Sequence, residues 1–173
     1  MQNFFELFNL PVQFDVDGKA LDAAYRHIQR LVHPDRFVTA TEAEKRAAVQ
    51  YATMVNDAYQ TLKDPLKRAV HLCALNGVPV DGDGHQQMDA GFLMEQMAWR
   101  ERLEMALDAN SHETLQALAD EQEEQQKNQL AAVKECLDAR HFEKAVAEIN
   151  KLMFLNRFDD EIQRSIEKLA YKD

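Results

Sequence analysis

Cysteine is nearly absent from this chain. Cys73 and Cys136 are the only two in 173 residues, too few to staple a small fold with disulfides. They lack zinc-site spacing, and His71 and Cys73, two apart on a helix, cannot face one ion. No metal and no cofactor is therefore expected. Long apolar runs are missing as well. None approaches the ~20 residues of a membrane span, and the start, Met1-Gln2-Asn3-Phe4, has neither the basic region nor the apolar core of a signal peptide. A reduced, cytoplasmic setting without membrane contact is expected. Catalytic signatures are absent too. No glycine-rich phosphate loop occurs, and the only serines, Ser111 and Ser165, fall at a helix cap and on a helix face. With no nucleophile beside a base, the chain is not expected to be an enzyme. An excess of positive charge is also lacking. The net charge is −10, and it is uneven. Residues 1–76 hold nine basic and nine acidic residues, while 77–173 hold eleven and twenty-one. An acidic half disfavours nucleic acid, whose phosphates need cations.

What is present is helical periodicity. Leu21, Ala24, Tyr25, Ile28, Leu31 and Val32 recur at i, i+3, i+4, i+7, i+10 and i+11, one apolar stripe of a helix. Asp17 is a candidate N-cap. Pro34 disfavours helical backbone at His33 and so ends the helix near Val32. Thr41 and Glu44 then have capping-box spacing. They precede a second stripe, Ala48, Tyr51, Ala52, Val55, Ala58, Tyr59 and Leu62, which stops at Asp64-Pro65. The two stripes can face each other only as an antiparallel hairpin. His33 to Ala40 then form its surface loop, held from both sides, a placement typical of binding chemistry. The helix face opposite the first stripe carries Arg26, His27 and Arg30, with Arg36 just past the turn. Upstream, Asn3 and Glu6 can cap a short segment whose Phe4, Phe5 and Phe8 plug the hairpin before Pro11 stops it.

Downstream, Pro65 opens a helix with Leu66, Ala69, Val70, Cys73 and Ala74 on its apolar face. Gly77, Gly82, Gly84 and Gly91 with Pro79 then mark a boundary. The expected organisation is an N-terminal domain at 1–76, a linker at 77–91 and a C-terminal helical bundle at 92–173. In the first bundle helix Phe92, Trp99, Leu103, Ala106 and Leu107 form the core stripe. Leu93, Met94, Met97 and Met105 lie on the far side with Glu101 and Glu104. A bundle helix needs only one apolar stripe, and methionine suits adaptable binding surfaces. The next helix starts near Asn110 or Ser111, with stripe Leu115, Leu118, Ala119, Leu130, Val133 and Leu137. Its run from Asp120 to Gln129 reads as solvated. The last helix begins at Phe142. Its stripe (Ala145, Val146, Ile149) rotates nearly half a turn by Phe158, Ile162, Ile166 and Leu169, which predicts a kink or break between Phe154 and Phe158.

The runs Asn3-Phe4-Phe5-Glu6-Leu7-Phe8, Tyr25-Arg26-His27-Ile28-Gln29-Arg30, His33-Pro34-Asp35-Arg36-Phe37 and Val55-Asn56-Asp57-Ala58-Tyr59-Gln60-Thr61-Leu62 resemble a J domain, the module by which co-chaperones engage DnaK-type ATPases. Phe92-Leu93-Met94-Glu95-Gln96 and Lys151-Leu152-Met153-Phe154-Leu155 resemble the HscB branch, co-chaperones of iron–sulfur cluster assembly. The resemblance covers nearly the whole chain. It implies an all-α fold: a J domain of one helical hairpin plus short helices, joined to an antiparallel bundle of about three helices. It also implies two partners, the DnaK-type chaperone HscA and the iron–sulfur scaffold protein IscU. His33, Pro34, Asp35, Arg26, His27, Arg30 and Arg36 would meet the chaperone. Leu93, Met94, Met97, Glu101 and Phe154 would meet the scaffold. Some HscB relatives carry an N-terminal cysteine-rich metal module, and this chain is expected to lack it. It also has Ala98 and Met105 where HscB relatives tend to carry acids, so its face is expected to be more apolar. A J-domain co-chaperone for a different client is the alternative.

Overall fold

A computed structural model describes residues 2–80 and 89–170. Gly82 and Gly84, expected in the linker, lie outside the described residues. Every regular element among the described residues is helical: α1 (Phe4–Leu7), α2 (Gly18–Leu31), α3 (Glu42–Lys63), α4 (Pro65–Leu75), α5 (Ala90–Asp108), α6 (His112–Asp138) and α7 (Phe142–Ala170), with a 3-10 turn at Pro34–Phe37. The chain separates into two compact units, Met1–Pro79 and Val80–Asp173.

In the first unit local chemistry sets the helix ends. Asp17 accepts the amides of Lys19 and Ala20 at the start of α2. Thr41 and Glu44 close a reciprocal capping box on α3, and backbone and side-chain bonds from Thr41 hold the Glu44 carboxyl below its ordinary range. Asp64 caps α4, with Pro65 at its first position. Gly77 follows α4 with φ of 79°, the left-handed conformation that glycine adopts without strain. The helices α2 and α3 pair as the hairpin, and α1 and α4 close its base. Phe5, Phe8, Leu21, Val55, Ala58, Leu62, Ala69, Leu72 and Cys73 are buried there. His71 joins α4 to α1: its Nε2 accepts the Phe4 amide at 3.2 Å and its ring stacks on Phe4 with centroids 4.4 Å apart. Towards the tip the packing thins. Leu31 and Tyr51, expected in the facing stripes, are exposed. Two helices without a third layer cannot cover both stripes, and α1 reaches only the base.

In the second unit α5, α6 and α7 form a bundle. Phe92, Trp99, Leu103 and Ala106 of α5 meet Leu115, Leu118 and Ala119 of α6 and Leu155, Phe158, Ile162 and Leu169 of α7. Leu107, expected in this core, is partly exposed instead. Two expectations are corrected. The first is the break in α7, which is one helix from Phe142 to Ala170. Its buried positions repeat in sevens (Ala145 and Leu152; Leu155, Ile162 and Leu169), a repeat that drifts by ~20° per heptad against a 3.6 period. The rest of the rotation accompanies a change of neighbours: from Lys151 and Phe154 onward α7 also meets the start of α5. The second correction concerns the polar run of α6. It is continuous helix, but Gln122 within it is fully buried, and neither amide atom has a hydrogen-bond partner among the described residues.

Candidate functional site

The first candidate site is the tip of the hairpin. Pro34 requires extended backbone before it, and His33 adopts φ −60° and ψ 135°. His33 thereby caps the 3-10 turn: its Nδ1 accepts the Asp35 amide at 3.3 Å, and the Arg36 amide reaches its carbonyl at 3.0 Å. Asp35 Oδ2 also lies 3.5 Å from the same Nδ1. The side chains are 59% exposed at His33 and 87% at Asp35. Arg26, His27, Arg30 and Arg36 are exposed as well.

Under the tip lies a largely apolar groove of about 410 Å³ between the end of α2, the 3-10 turn and the first half of α3. Val32, Phe37, Val38 and Val49 line it, and His33 stands at its edge. Sequence reasoning did not find this groove, because a stripe does not reveal whether the opposite stripe fills it.

The second candidate site is the outward face of α5. Leu93 is 46% exposed, and Met94 and Met97 are 72% exposed. Met105 is exposed too, and Glu101, Glu104 and Asp108 share this side of the helix. Arg100 and Arg102 turn away, to Glu161 on α7 at 3.5 Å and Glu121 on α6 at 2.7 Å. Phe154 differs from the methionines. It is half-buried, edge-on to Phe92 at 5.8 Å and stacked on Phe158 at 6.2 Å. The Arg100 guanidinium lies over its ring at 6.0 Å. Leu93, Met97 and Arg100 are i, i+4 and i+7 on one stripe of α5, so Phe154 borders the stripe that carries the exposed residues.

Among the described residues no group of three His, Cys, Asp or Glu side chains converges as a metal site. Burial pushes the Cys73 thiol up to about 11, so it remains protonated at neutral pH. No helix among the described residues is long and apolar enough to cross a membrane.

A helical hairpin with His33-Pro34-Asp35 at its apex and two short helices closing its base defines a J-domain protein. Residues 3–71 match the DnaJ domain family, and residues 88–163 match the family described as the HSCB C-terminal oligomerisation domain. The HscB co-chaperone homologue of Burkholderia thailandensis is 47% identical over 167 residues, covering 96% of this chain and 95% of its own. That of Burkholderia multivorans is 44% identical over 165 residues, covering 95% and 94%. The chaperone HscB of Vibrio cholerae superposes with a TM-score of 0.85 at 39% identity, over 97% of this chain and 99% of its own. The human co-chaperone HscB gives 0.87 at 30% identity, over 94% and 81%. The chain belongs to the HscB family of J-domain co-chaperones.

Proposed function

We propose that this protein stimulates the ATPase of the DnaK-type chaperone HscA and delivers the iron–sulfur scaffold protein IscU to it during cluster assembly in the cytoplasm. The observation that carries the chaperone half is the Asp35 carboxylate, 87% exposed beside His33 at a proline-framed apex. Arg26, His27, Arg30 and Arg36 offer cations to an acidic patch on the ATPase and steer the encounter. His33 and Asp35 then engage it in one fixed geometry, with Asp35 pairing to a basic group. That pairing accelerates hydrolysis only if it is stronger in the hydrolysis-competent state of the chaperone.

Leu93, Met94 and Met97 form the scaffold face, with Phe154 at its border and Glu101 on the rim giving orientation. An exposed apolar cluster with a polar rim is the usual anatomy of a docking patch. The adaptor itself performs no chemistry and holds no cofactor. The test is the ATP turnover of HscA with the chain alone, with IscU alone and with both. Synergistic stimulation supports the proposal, and turnover unaffected by the chain refutes it. Capture of a client other than IscU by the α5 face would favour the alternative, a J-domain co-chaperone for a different client.

A further inference from the structure

The exposed face of α5 starts at the helix's first turn, and a first turn has amides with no partner inside the helix. Asp89 holds one of them: its Oδ1 accepts the Phe92 amide at 2.9 Å. Its other oxygen lies 3.0 Å from the Lys151 Nζ of α7. Lys151 also lies 3.5 Å from Glu148 Oε1, and its ammonium sits 5.7 Å from the Phe92 ring centroid. Glu148 is in turn tied to α6, where the Gln129 amide donates to its carboxylate at 2.6 Å and to its backbone carbonyl at 2.9 Å. A continuous line of polar contacts thus runs from α6 through α7 to the cap of α5. The ionisations agree with it. The Phe92 amide and then Lys151 hold the Asp89 carboxyl below its ordinary range, and the bond to Asp89 raises Lys151.

We propose that Lys151 is a positioning residue for scaffold docking, a latch that clamps the first turn of α5 onto α7 and so presents Leu93 and Met94 as a preformed surface. The inference rests on the docking face proposed above. A surface ion pair by itself adds little, but this one acts at a particular place. Asp89 fixes the Phe92 amide, and the Phe92 ring is packed edge-on against Trp99 at 6.2 Å and Phe154 at 5.8 Å. Leu93 and Met94 follow directly in the chain. Without the latch the turn that carries them frays, and the scaffold has to order it on binding, a cost that a preformed surface avoids.

The experiment uses the full chain, with purified IscU as probe, and measures the dissociation constant by calorimetry and amide exchange at residues 92–97. Lys151→Met keeps the apolar stem and removes the charge. It is expected to weaken binding about tenfold and to speed exchange in the first turn, because a docking site depends on the shell that holds it. Lys151→Arg is expected to restore both. Asp89→Asn keeps the capping oxygen and removes the charge. It is expected to weaken binding comparably, with the double variant no weaker than either single one. Unchanged affinity in both single variants overturns the latch. Additive losses overturn it as well, since they would make Lys151 a direct contact. If Lys151→Met fails to fold, the Asp89→Asn and Lys151→Arg pair decides. A Leu93→Ala/Met97→Ala control separates the two ideas. If the control binds normally, the docking face fails and the latch with it; if only the Lys151 and Asp89 variants bind normally, the latch alone fails.

Discussion

Tyr25 and Tyr59 stack face to face, with ring centroids 4.0 Å apart and planes 18° from parallel, and they join the two walls of the hairpin. The hydroxyl of each is tied across it. Tyr25 donates to Asn56 Oδ1 at 2.7 Å, and Gln29 donates to both of these atoms. Tyr59 donates to Asp22 at 2.7 Å and accepts from Lys63 at 2.7 Å. Six side chains from two helices thus set the register of α2 on α3. Register decides where the apex points, because His33 follows the last turn of α2 directly.

Asp35→Ala is expected to reduce stimulation of chaperone ATP turnover by at least about tenfold while circular dichroism and scaffold binding stay unchanged. Removing one partner of a desolvated charge pair in a complex typically costs ~2–5 kcal/mol, and in the free chain this carboxylate supports no fold contact except its approach to His33. Steady-state turnover at saturating chaperone checks it; stimulation retained by the alanine variant would contradict the assigned role.

Leu93→Ala with Met97→Ala is expected to abolish scaffold capture without changing the urea midpoint, since both side chains are exposed. Phe154→Ala is expected to act differently. Its ring is half-buried against Phe92 and Phe158, so the second unit loses about 2 kcal/mol of stability in addition to affinity. Paired denaturation and binding curves separate the two effects.

Acid is expected to loosen the base of the J domain through His71. Burial holds its imidazole below the ordinary value of 6.5, so the neutral ring that accepts the Phe4 amide is the folded form. The unfolded chain then binds more protons, and stability falls as pH decreases. This contribution is full above pH 6.5 and is lost below it, down to the folded value. Urea midpoints measured from about pH 8 to about pH 5 should drop more steeply for the wild type than for His71→Gln, which keeps an acceptor but does not titrate.

Gln122→Leu is expected to stabilise the bundle. The amide is fully buried with neither atom bonded among the described residues, and an unsatisfied buried polar group costs ~1–3 kcal/mol. Leucine restores apolar packing at similar volume. A rise in the urea midpoint at unchanged slope checks this, and a fall would mean that the amide sets the register of α6 on α7.

Salt is expected to weaken the chaperone contact more than the scaffold contact. The first relies on Arg26, His27 and Arg30, which are exposed and therefore screened within a Debye length of about 8 Å at physiological ionic strength. The second relies on Leu93, Met94 and Met97. Dissociation constants at low and high salt measure the difference.

The elements that could be read in advance are those whose cause is local. Asp17, Thr41 with Glu44, Asp64-Pro65 and Ser111 mark helix starts because a capping oxygen acts within three residues of itself, and each does so in the structure. Proline beside His33 and Asp35 had a similarly local meaning, although their exposure did not. What stayed hidden depends on neighbours remote in sequence. A helical wheel assumes one partner and one period, so the path of α7 from two-helix to three-helix packing looked like a break. The burial of Gln122 could not be read from a run of polar letters. His71 caps α1 from α4, and Lys151 reaches Asp89 across the bundle. Neither pairing leaves a periodic trace, because each arises only when distant segments fold together.

The unfilled groove beneath the apex also bears on how this module can diverge. Ala48 and Ala52 border open space, whereas Ala58 and Ala69 are wholly enclosed. Enlarging a side chain into a void avoids the penalty that overpacking imposes on a filled core. Descendant sequences can therefore accumulate bulk at the first two positions and reshape the surface around His33, while the second two are held to small residues.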